Sequence, residues 1–156
     1  MLPADWPQVK TIYESGIASG HATFEQSAPS WESWDGAHLD YGRLVATLNG
    51  AIVGWAALTP VSNRCVYGGV AEVSVYIDEG ERGKGIGQAL LQALVQASED
   101  NGLWTLQASV FPENKASIRI HQKTGFRIVG YRERIGQQNG WWRHTVLLER
   151  RSPRNG

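Results

Sequence analysis

The sequence predicts one α/β domain in which a mixed, largely antiparallel twisted sheet carries helices on both faces. Three observations predict this class. An alternating apolar run over residues 73–77 passes through a glycine loop into a helical pattern that contains Leu90 and Leu94. Asn49-Gly50, between two apolar runs, marks an antiparallel hairpin. The length of 156 residues fits a single domain over 1–156.

The first half of the chain is predicted to hold two helices and this hairpin. Asp5 and Pro7 suit the start of the first helix, and Gly20 suits its end. Ser30 is a candidate cap for the second. The predicted elements are helices over 5–20 and 30–39, strands over 43–48 and 51–59, and a polar connection over 60–69.

After the central strand–loop–helix unit, the second half is predicted to hold strands and one short helix. Gly125 terminates that helix, and the polar residues 136–140 connect a terminal hairpin. Residues 152–156 are predicted to be a frayed, flexible tail. The predicted elements are a strand over 103–111, a helix over 114–123, and strands over 126–134 and 142–150.

Composition narrows the class of partner. Fifteen basic and fifteen acidic residues give a net charge of zero, which argues against nucleic acid or an anionic membrane and favours a small molecule. One cysteine, Cys65, and the lack of a long apolar span predict a reducing compartment, by default the cytoplasm. Seven tryptophans favour an aromatic pocket or interface, and we expect a homodimer. No cluster of His, Cys or carboxylates has the spacing of metal ligands.

The glycine loop predicts an anion site. Gly83, Gly85 and Gly87 lie between a strand and a helix, where open backbone N–H groups and the positive end of the helix dipole favour phosphate. A Walker loop requires Ser or Thr after its lysine, whereas Gly85 follows Lys84. A dinucleotide fingerprint requires a third glycine where Gln88 stands. The remaining alternative to a phosphate site is a surface turn with incidental glycines.

The pattern Arg82-x-x-Gly85-x-Gly87 resembles the pyrophosphate loop of the GNAT acetyltransferases. A second block, Asn114-x-x-Ser117-Ile118-x-x-His121-x-Lys123-x-Gly125-Phe126, is similar to the next conserved block of that superfamily. With segments 22–25 and 140–142, the resemblance covers nearly the whole chain and extends to the phosphinothricin and methionine sulfoximine N-acetyltransferase branch. It implies a GNAT-like sheet, acetyl-CoA as co-substrate, and a small amine as acceptor.

Two departures from the family pattern stand out. Members normally begin with a short strand before the first helix, and residues 1–3 leave almost no room for it, so either the sheet lacks that strand or the recorded start is late. The branch commonly carries Gly-x-Trp-x-Asp near the C-terminus, where this chain has Gly140, Trp142 and His144. A role for an aspartate there is therefore in doubt.

The resemblance assigns the co-substrate contacts. For Asn114, a role as the cap of the following helix is equally consistent with the sequence. The positions expected to hold acetyl-CoA are Val75, Ile77, Arg82, Gly83, Lys84, Gly85, Ile86, Gly87, Asn114 and Ser117.

The resemblance also assigns the chemistry. It implies that Glu72, at the start of the central strand, is the general base, and that His121 can protonate the leaving thiolate. The alternatives are a solvated charge at a strand end and a surface histidine. Arg64 is a candidate for a forked pair with an acidic group of the acceptor. The other expected walls of the acceptor pocket are Phe24, Glu25, Trp55 and Tyr67.

The function expected from the resemblance is acetyl transfer from acetyl-CoA to the α-amino group of a small amino-acid-like substrate, by direct attack in a ternary complex. Phosphinothricin and methionine sulfoximine are the expected type of acceptor. Another amine, such as a polyamine, an aminoglycoside or a protein N-terminus, is the enzymatic alternative. A non-catalytic acyl-CoA-binding module is the alternative from a different class.

Overall fold

In the computed structural model, which describes residues 1–156, six strands form one sheet in the order β1-β2-β3-β4-β6-β5. All neighbouring pairs are antiparallel except β3 and β4, so the predicted mixed, largely antiparallel sheet is confirmed. The helices are α1 Trp6–Ser19, α2 Trp31–Ala37, α3 Ile86–Asp100 and α4 Lys115–Lys123. The strands are β1 Leu44–Leu48, β2 Ala51–Pro60, β3 Val70–Ile77, β4 Thr105–Val110, β5 Arg127–Gln138 and β6 Trp141–Arg151.

Residues 1–5, ahead of α1, form a 3-10 turn over Pro3–Asp5 and no strand. Gly20 ends α1 with a φ of +75°, as predicted. The prediction that Asp5 caps α1 was wrong. Its backbone is already helical, and its carboxylate instead accepts from the Leu2 N–H at 2.6 Å, within the 3-10 turn Pro3–Asp5. Ser30 does cap α2, because its hydroxyl accepts from the Ser33 N–H at 3.2 Å.

Two tight hairpins have the same turn chemistry. Asn49 and Gly50 both have positive φ angles, +51° and +82°, as the Asn-Gly pair predicts. Asn139 and Gly140 repeat this turn with φ angles of +52° and +82°. The connection predicted over 136–140 is therefore a two-residue turn, and β5 and β6 extend further toward each other than the sequence indicated.

Helices pack on both faces of the sheet, and most of the β5–β6 hairpin stays exposed. α3 and α4 cover one face over the main apolar core, to which Leu58, Leu91 and Leu94 contribute with almost no exposure. α1 and α2 cover the other face, where the aromatic residues concentrate. The buried apolar residues of this second core, from α1, α2 and β2, are Trp6, Val9, Ile12, Trp34, Ile52, Trp55 and Ala57. Trp55 stacks on Tyr76 of β3 at 4.8 Å between ring centroids.

The C-terminal residues are packed, so the predicted frayed tail was wrong. The Ser152 hydroxyl donates to Glu99 at 3.1 Å, and the Asn155 amide donates to the carbonyls of Glu99 and Leu103 at 2.9 Å each. Arg150 adds a 2.8 Å ion pair to Glu99. A side-chain hydrogen bond from Arg150 lowers the pKa of Glu99, although its burial acts in the opposite direction. None of the helices has the length and apolar character needed to cross a membrane.

Candidate active site

A split in the centre of the sheet forms a cavity. β3 and β4 pair only from Val70 opposite Thr105 to Glu72 opposite Gln107. Beyond these residues β3 continues on β2 and β4 continues on β6, so the two strands diverge. A cavity of about 230 Å³ lies in the gap, walled by β3, β4, α4 and residues 21–24 from the α1–α2 connection.

The hydrogen-bond pattern of β3 leaves backbone groups facing this gap. The Asp78 N–H donates to the Val53 carbonyl and the Val61 N–H donates to the Val70 carbonyl. Because pairing alternates along an antiparallel ladder, the even-numbered residues of β3 are those bonded to β2. Val75 and Ile77 therefore direct their backbone N–H and C=O groups away from β2, into the gap, where an extended ligand can pair with them.

β4 presents a matching backbone position that the sequence analysis missed. The Ser152 N–H donates to the Trp104 carbonyl at 2.8 Å, which fixes the even-numbered residues of β4 as the partners of β6. Ser109 consequently turns its backbone groups toward β3, and it lines the cavity. Nothing in the local sequence marks Ser109, because its availability depends on where the two strands separate.

The glycine loop opens onto the N-terminus of α3. Gly83 and Gly85 have φ angles of +80° and +79°, which are left-handed conformations that favour glycine. The first bond of the helix ladder runs from the Ala89 N–H to the Gly85 carbonyl, so the N–H groups of Ile86, Gly87 and Gln88 have no partner in the ladder. The positive end of the helix dipole adds to this set of donors, and the loop fits an anionic ligand.

The side chains around the loop contribute unequally. Lys84 forms an ion pair with Glu81 at 2.5 Å, so part of its charge is neutralised within the loop. Arg82 is exposed and forms no ion pair in the structure. Gly87 packs against α4, since a Cβ atom at this position would lie 3.2 Å from Cδ1 of Ile120. The glycine at 87 therefore allows the close approach of α3 and α4.

Glu72 lies at the point where the two strands separate. It is half-buried, lines the cavity, and accepts a hydrogen bond from the Gln107 side-chain amide at 3.2 Å. Gln107 stands opposite Glu72 in the parallel register and was not anticipated from the sequence. This arrangement holds a carboxylate, a potential proton acceptor, at the cavity wall.

His121 is buried in α4 and also lines the cavity. Its Nδ1 lies 2.6 Å from the Ser117 carbonyl oxygen, which can only accept, so Nδ1 carries the proton. Burial lowers the pKa of His121, and the bond to Ser117 opposes this only in part. The ring is therefore neutral at pH 7 with a lone pair on Nε2. A neutral ring in this tautomer has no proton at Nε2 to give to a leaving thiolate.

Asn114 combines a structural bond at α4 with a position on the cavity wall. Its side-chain oxygen accepts from the Ser117 N–H at 3.2 Å, so the helix-cap alternative is confirmed. Its amide nitrogen donates to the His21 carbonyl at 3.3 Å. Asn114 and Ser117 both line the cavity, so a ligand bound there can contact both residues.

The predicted walls of the acceptor pocket separate into two groups. Phe24 lines the cavity and packs edge-on against Phe111 at 4.9 Å. Trp55 does not line it: the indole is 1% exposed within the aromatic core, because its position in β2 faces α1 and α2. The other predicted residues, Glu25, Arg64 and Tyr67, are exposed and lie outside the cavity lining.

Tyr76 is a further cavity residue that the sequence did not single out. It follows Glu72 and Ser74 on the same face of β3 and lines the cavity with them. Burial raises the pKa of its hydroxyl, with a smaller contribution from Tyr13. Gly16 of α1 makes room for the ring, because a Cβ atom there would lie 2.8 Å from Cδ1 of Tyr76.

Comparison with known proteins agrees with this geometry. The profile of the acetyltransferase (GNAT) family matches residues 6–126. The L-methionine sulfoximine/L-methionine sulfone acetyltransferase of Pseudomonas aeruginosa is 32% identical over 94% of this chain and 88% of that protein. Phosphinothricin N-acetyltransferase of Alcaligenes faecalis is 33% identical over 94% of this chain and 77% of that protein.

Solved structures show the same fold. A GNAT superfamily phosphinothricin acetyltransferase from Sinorhizobium meliloti, in complex with acetyl-CoA, superposes with a TM-score of 0.89 at 29% identity and covers 99% of this chain and 87% of that one. The resemblance inferred from the two sequence blocks is thus confirmed, and with it the acetyltransferase class and acetyl-CoA as co-substrate. The chain belongs to the acetyltransferase (GNAT) family.

Proposed function

We propose that this protein acetylates the α-amino group of a small amino-acid-like substrate of the phosphinothricin or methionine sulfoximine type. One observation carries the proposal: a carboxylate, Glu72, stands on the cavity wall where β3 and β4 separate, and the same strand β3 leads through the glycine loop to the anion site at the start of α3. The named activities of the relatives from Pseudomonas aeruginosa and Alcaligenes faecalis support this choice of acceptor.

Binding of the co-substrate is assigned to backbone groups. In our proposal the pyrophosphate of acetyl-CoA is held by the N–H groups of residues 83–87 and by the dipole of α3. Val75 and Ile77 pair with the pantetheine arm through the N–H and C=O groups that face the gap. Asn114 and Ser117 border the same cavity from α4. When bound, acetyl-CoA supplies the acetyl group as a thioester.

Glu72 is the proposed base. It accepts a proton from the ammonium form of the acceptor, directly or through one water, and the freed nitrogen lone pair attacks the thioester carbonyl. The C–N bond forms and the C–S bond breaks, the nitrogen gives up its second proton to water to leave a neutral amide, and the departing thiolate takes a proton from water. This last step replaces the role predicted for His121, because the neutral ring has no proton at Nε2 to donate. His121 instead bonds the Ser117 carbonyl within α4 and packs edge-on against Phe126 at 5.1 Å between ring centroids.

Free-thiol release with a panel of amines tests the proposal. The panel contains phosphinothricin, methionine sulfoximine and methionine sulfone, together with spermidine, an aminoglycoside and a peptide with a free N-terminus. Turnover confined to the amino-acid analogues supports the proposal, and turnover confined to another amine replaces the acceptor. Binding of acetyl-CoA without transfer to any amine would identify a non-catalytic module instead.

We also propose that the protein forms a homodimer through the β5–β6 hairpin. β5 is an edge strand of the sheet, and the hairpin exposes large apolar side chains that an interface would cover. They are Ile128, Tyr131, Ile135, Trp141 and Trp142, each about half exposed or more. Light scattering that gives twice the chain mass of 17.2 kDa would support the dimer, and the chain mass itself would exclude it. The proposed location is the cytoplasm, which cell fractionation tests.

A further inference from the structure

We propose that Arg143 is a positioning residue that fixes the acceptor end of the cavity by holding residues 20–24, which we call the 20–24 loop. The inference rests on the proposed function. The loop supplies four consecutive residues of the cavity wall, His21, Ala22, Thr23 and Phe24, yet it belongs to no helix or strand. Its position must therefore come from contacts with other elements.

Side chains from three other elements bind carbonyl groups of the loop. Arg143 of β6 donates from Nη1 to the Gly20 carbonyl at 2.9 Å. Asn114, the cap of α4, donates to the His21 carbonyl at 3.3 Å. Gln138 of β5 donates to the Thr23 carbonyl at 3.1 Å. Three side chains thus replace the backbone partners that a strand or helix would supply.

Arg143 also controls the anchor that Gln138 forms. It donates to the side-chain oxygen of Gln138, which leaves the amide nitrogen of Gln138 directed at Thr23. Because an amide has one acceptor end and one donor end, the bond from arginine selects the orientation in which glutamine binds the loop. Loss of Arg143 therefore weakens two of the three anchors.

The remaining contacts of Arg143 connect the loop to the turn before α4. Its Nη2 lies 3.3 Å from a carboxylate oxygen of Glu113 and 3.4 Å from Nδ1 of His21. Its guanidinium lies over the ring of Phe111 at 3.8 Å, and the side chain is only 14% exposed. A planar fork with five donors can serve these acceptors together, whereas a lysine ammonium cannot.

Arg143 and Gln138 hold the loop without a hydrogen bond to any residue assigned to acetyl-CoA. Phe24, at the end of the loop, packs against Phe111 at 4.9 Å and lies close to Gly136, where a Cβ atom would be 3.0 Å from the ring. The anion site at the start of α3 and the open edge of β3 make none of these contacts. Release of the loop should therefore weaken acceptor binding and leave the acetyl-CoA site unchanged.

The test compares Arg143→Met and Gln138→Glu with the wild type. Gln138→Glu keeps an oxygen for Arg143 and removes the donor to Thr23, so it separates loop anchoring from the loss of the arginine. For the most active amine of the panel, we expect KM to rise about fivefold in Gln138→Glu, which loses one hydrogen bond between neutral groups. In Arg143→Met, which loses the charge-assisted bond to Gly20 and weakens the Gln138 anchor, we expect a rise of about tenfold or more. The KM for acetyl-CoA should stay within about twofold, and Arg143→Lys should be intermediate. Arg127→Met, on the exposed side of the same hairpin, is the matched control.

Amide hydrogen exchange of residues 20–24 gives a readout that needs no acceptor. We expect faster exchange there in both variants, with exchange of β3 and α3 unchanged. Unchanged amide exchange of residues 20–24 in Arg143→Met would overturn the proposal. An equal rise in the KM for the acceptor amine and the KM for acetyl-CoA would also overturn it, because it would indicate a general structural role. If no amine in the panel is acetylated, the proposed function fails and the exchange measurement alone still decides whether Arg143 positions the loop.

Discussion

Replacement of Glu72 by glutamine should lower kcat by at least about 100-fold, because a positioned general base contributes about 100-fold to 10,000-fold to proton transfer. The substitution is close to isosteric. The new side chain keeps an oxygen for the Gln107 amide, which lies 3.2 Å from the native carboxylate, so the cavity wall should keep its shape. Only the ability to take a proton is removed.

The size of the effect separates catalysis from positioning. A 100-fold loss corresponds to about 2.7 kcal/mol of transition-state stabilisation. A hydrogen bond from a neutral amide to a carboxylate, such as that from Gln107 to Glu72 at 3.2 Å, corresponds to about 1.5 kcal/mol. Gln107→Met, which removes the partner of Glu72 and retains the carboxylate, should therefore lower kcat by about tenfold or less.

The assay is free-thiol release with acetyl-CoA and the best acceptor, both saturating, combined with calorimetric titration of acetyl-CoA. The dissociation constant of acetyl-CoA should be unchanged in Glu72→Gln. Glu32→Gln, an exposed carboxylate on α2 outside the cavity lining, is the control for loss of one negative charge. A kcat within about threefold of the wild type in Glu72→Gln would remove Glu72 from the role of base.

Three further substitutions test the loop, the C-terminal network and the buried histidine. Gly85→Ala should lower the free energy of unfolding by about 1–2 kcal/mol, because Gly85 has a positive φ angle, and should weaken acetyl-CoA binding about tenfold. Gly102→Ala, at the other end of α3 and also at positive φ, is the control. It should lower the free energy of unfolding by a similar amount and leave the affinity for acetyl-CoA unchanged. Glu99→Gln should lower the free energy of unfolding at pH 7 by about 2 kcal/mol. The Arg150 hydrogen bond lowers the pKa of Glu99 below its ordinary 4.5. The stabilisation is therefore complete above pH 4.5 and is lost as the pH falls through the pKa of Glu99 in the folded protein. Urea unfolding at pH 3 should show a smaller difference between variant and wild type than at pH 7. His121→Asn, which keeps a donor for the Ser117 carbonyl, should reduce kcat by less than about tenfold, and a 100-fold loss would restore the proton-donor role.

Local chemistry accounts for the elements that the sequence predicted correctly. Asn49-Gly50 accepts two positive φ angles at low cost, and Gly83 and Gly85 do the same in the anion loop. Helical periodicity identified α3, and Gly125, which has a positive φ angle, marked the end of α4. The side chain of Ser30 reaches the Ser33 N–H three residues on. Each of these signals acts over a few residues, so a single sequence contains it in full.

The parts of the site that were missed depend on contacts between distant segments. Gln107 meets Glu72 across 35 residues, Ser152 meets Glu99 across 53, and Arg143 meets Gly20 across 123. Trp55 has the residue type of a pocket wall, but the register of β2 turns it toward α1 and α2. Side-chain direction and partner identity follow from packing, which no local pattern contains.

The sequence by itself determined the strand–glycine loop–helix unit, the Asn49-Gly50 turn, and the two blocks that mark the acetyltransferase family. These features follow from backbone restrictions and hydrophobic periods within short windows. Only the tertiary structure decided that β3 and β4 separate after Glu72, which backbone groups face the gap, and that Arg143 binds the 20–24 loop. Strand register and long-range hydrogen bonds set these features, because they form only when the whole sheet is assembled.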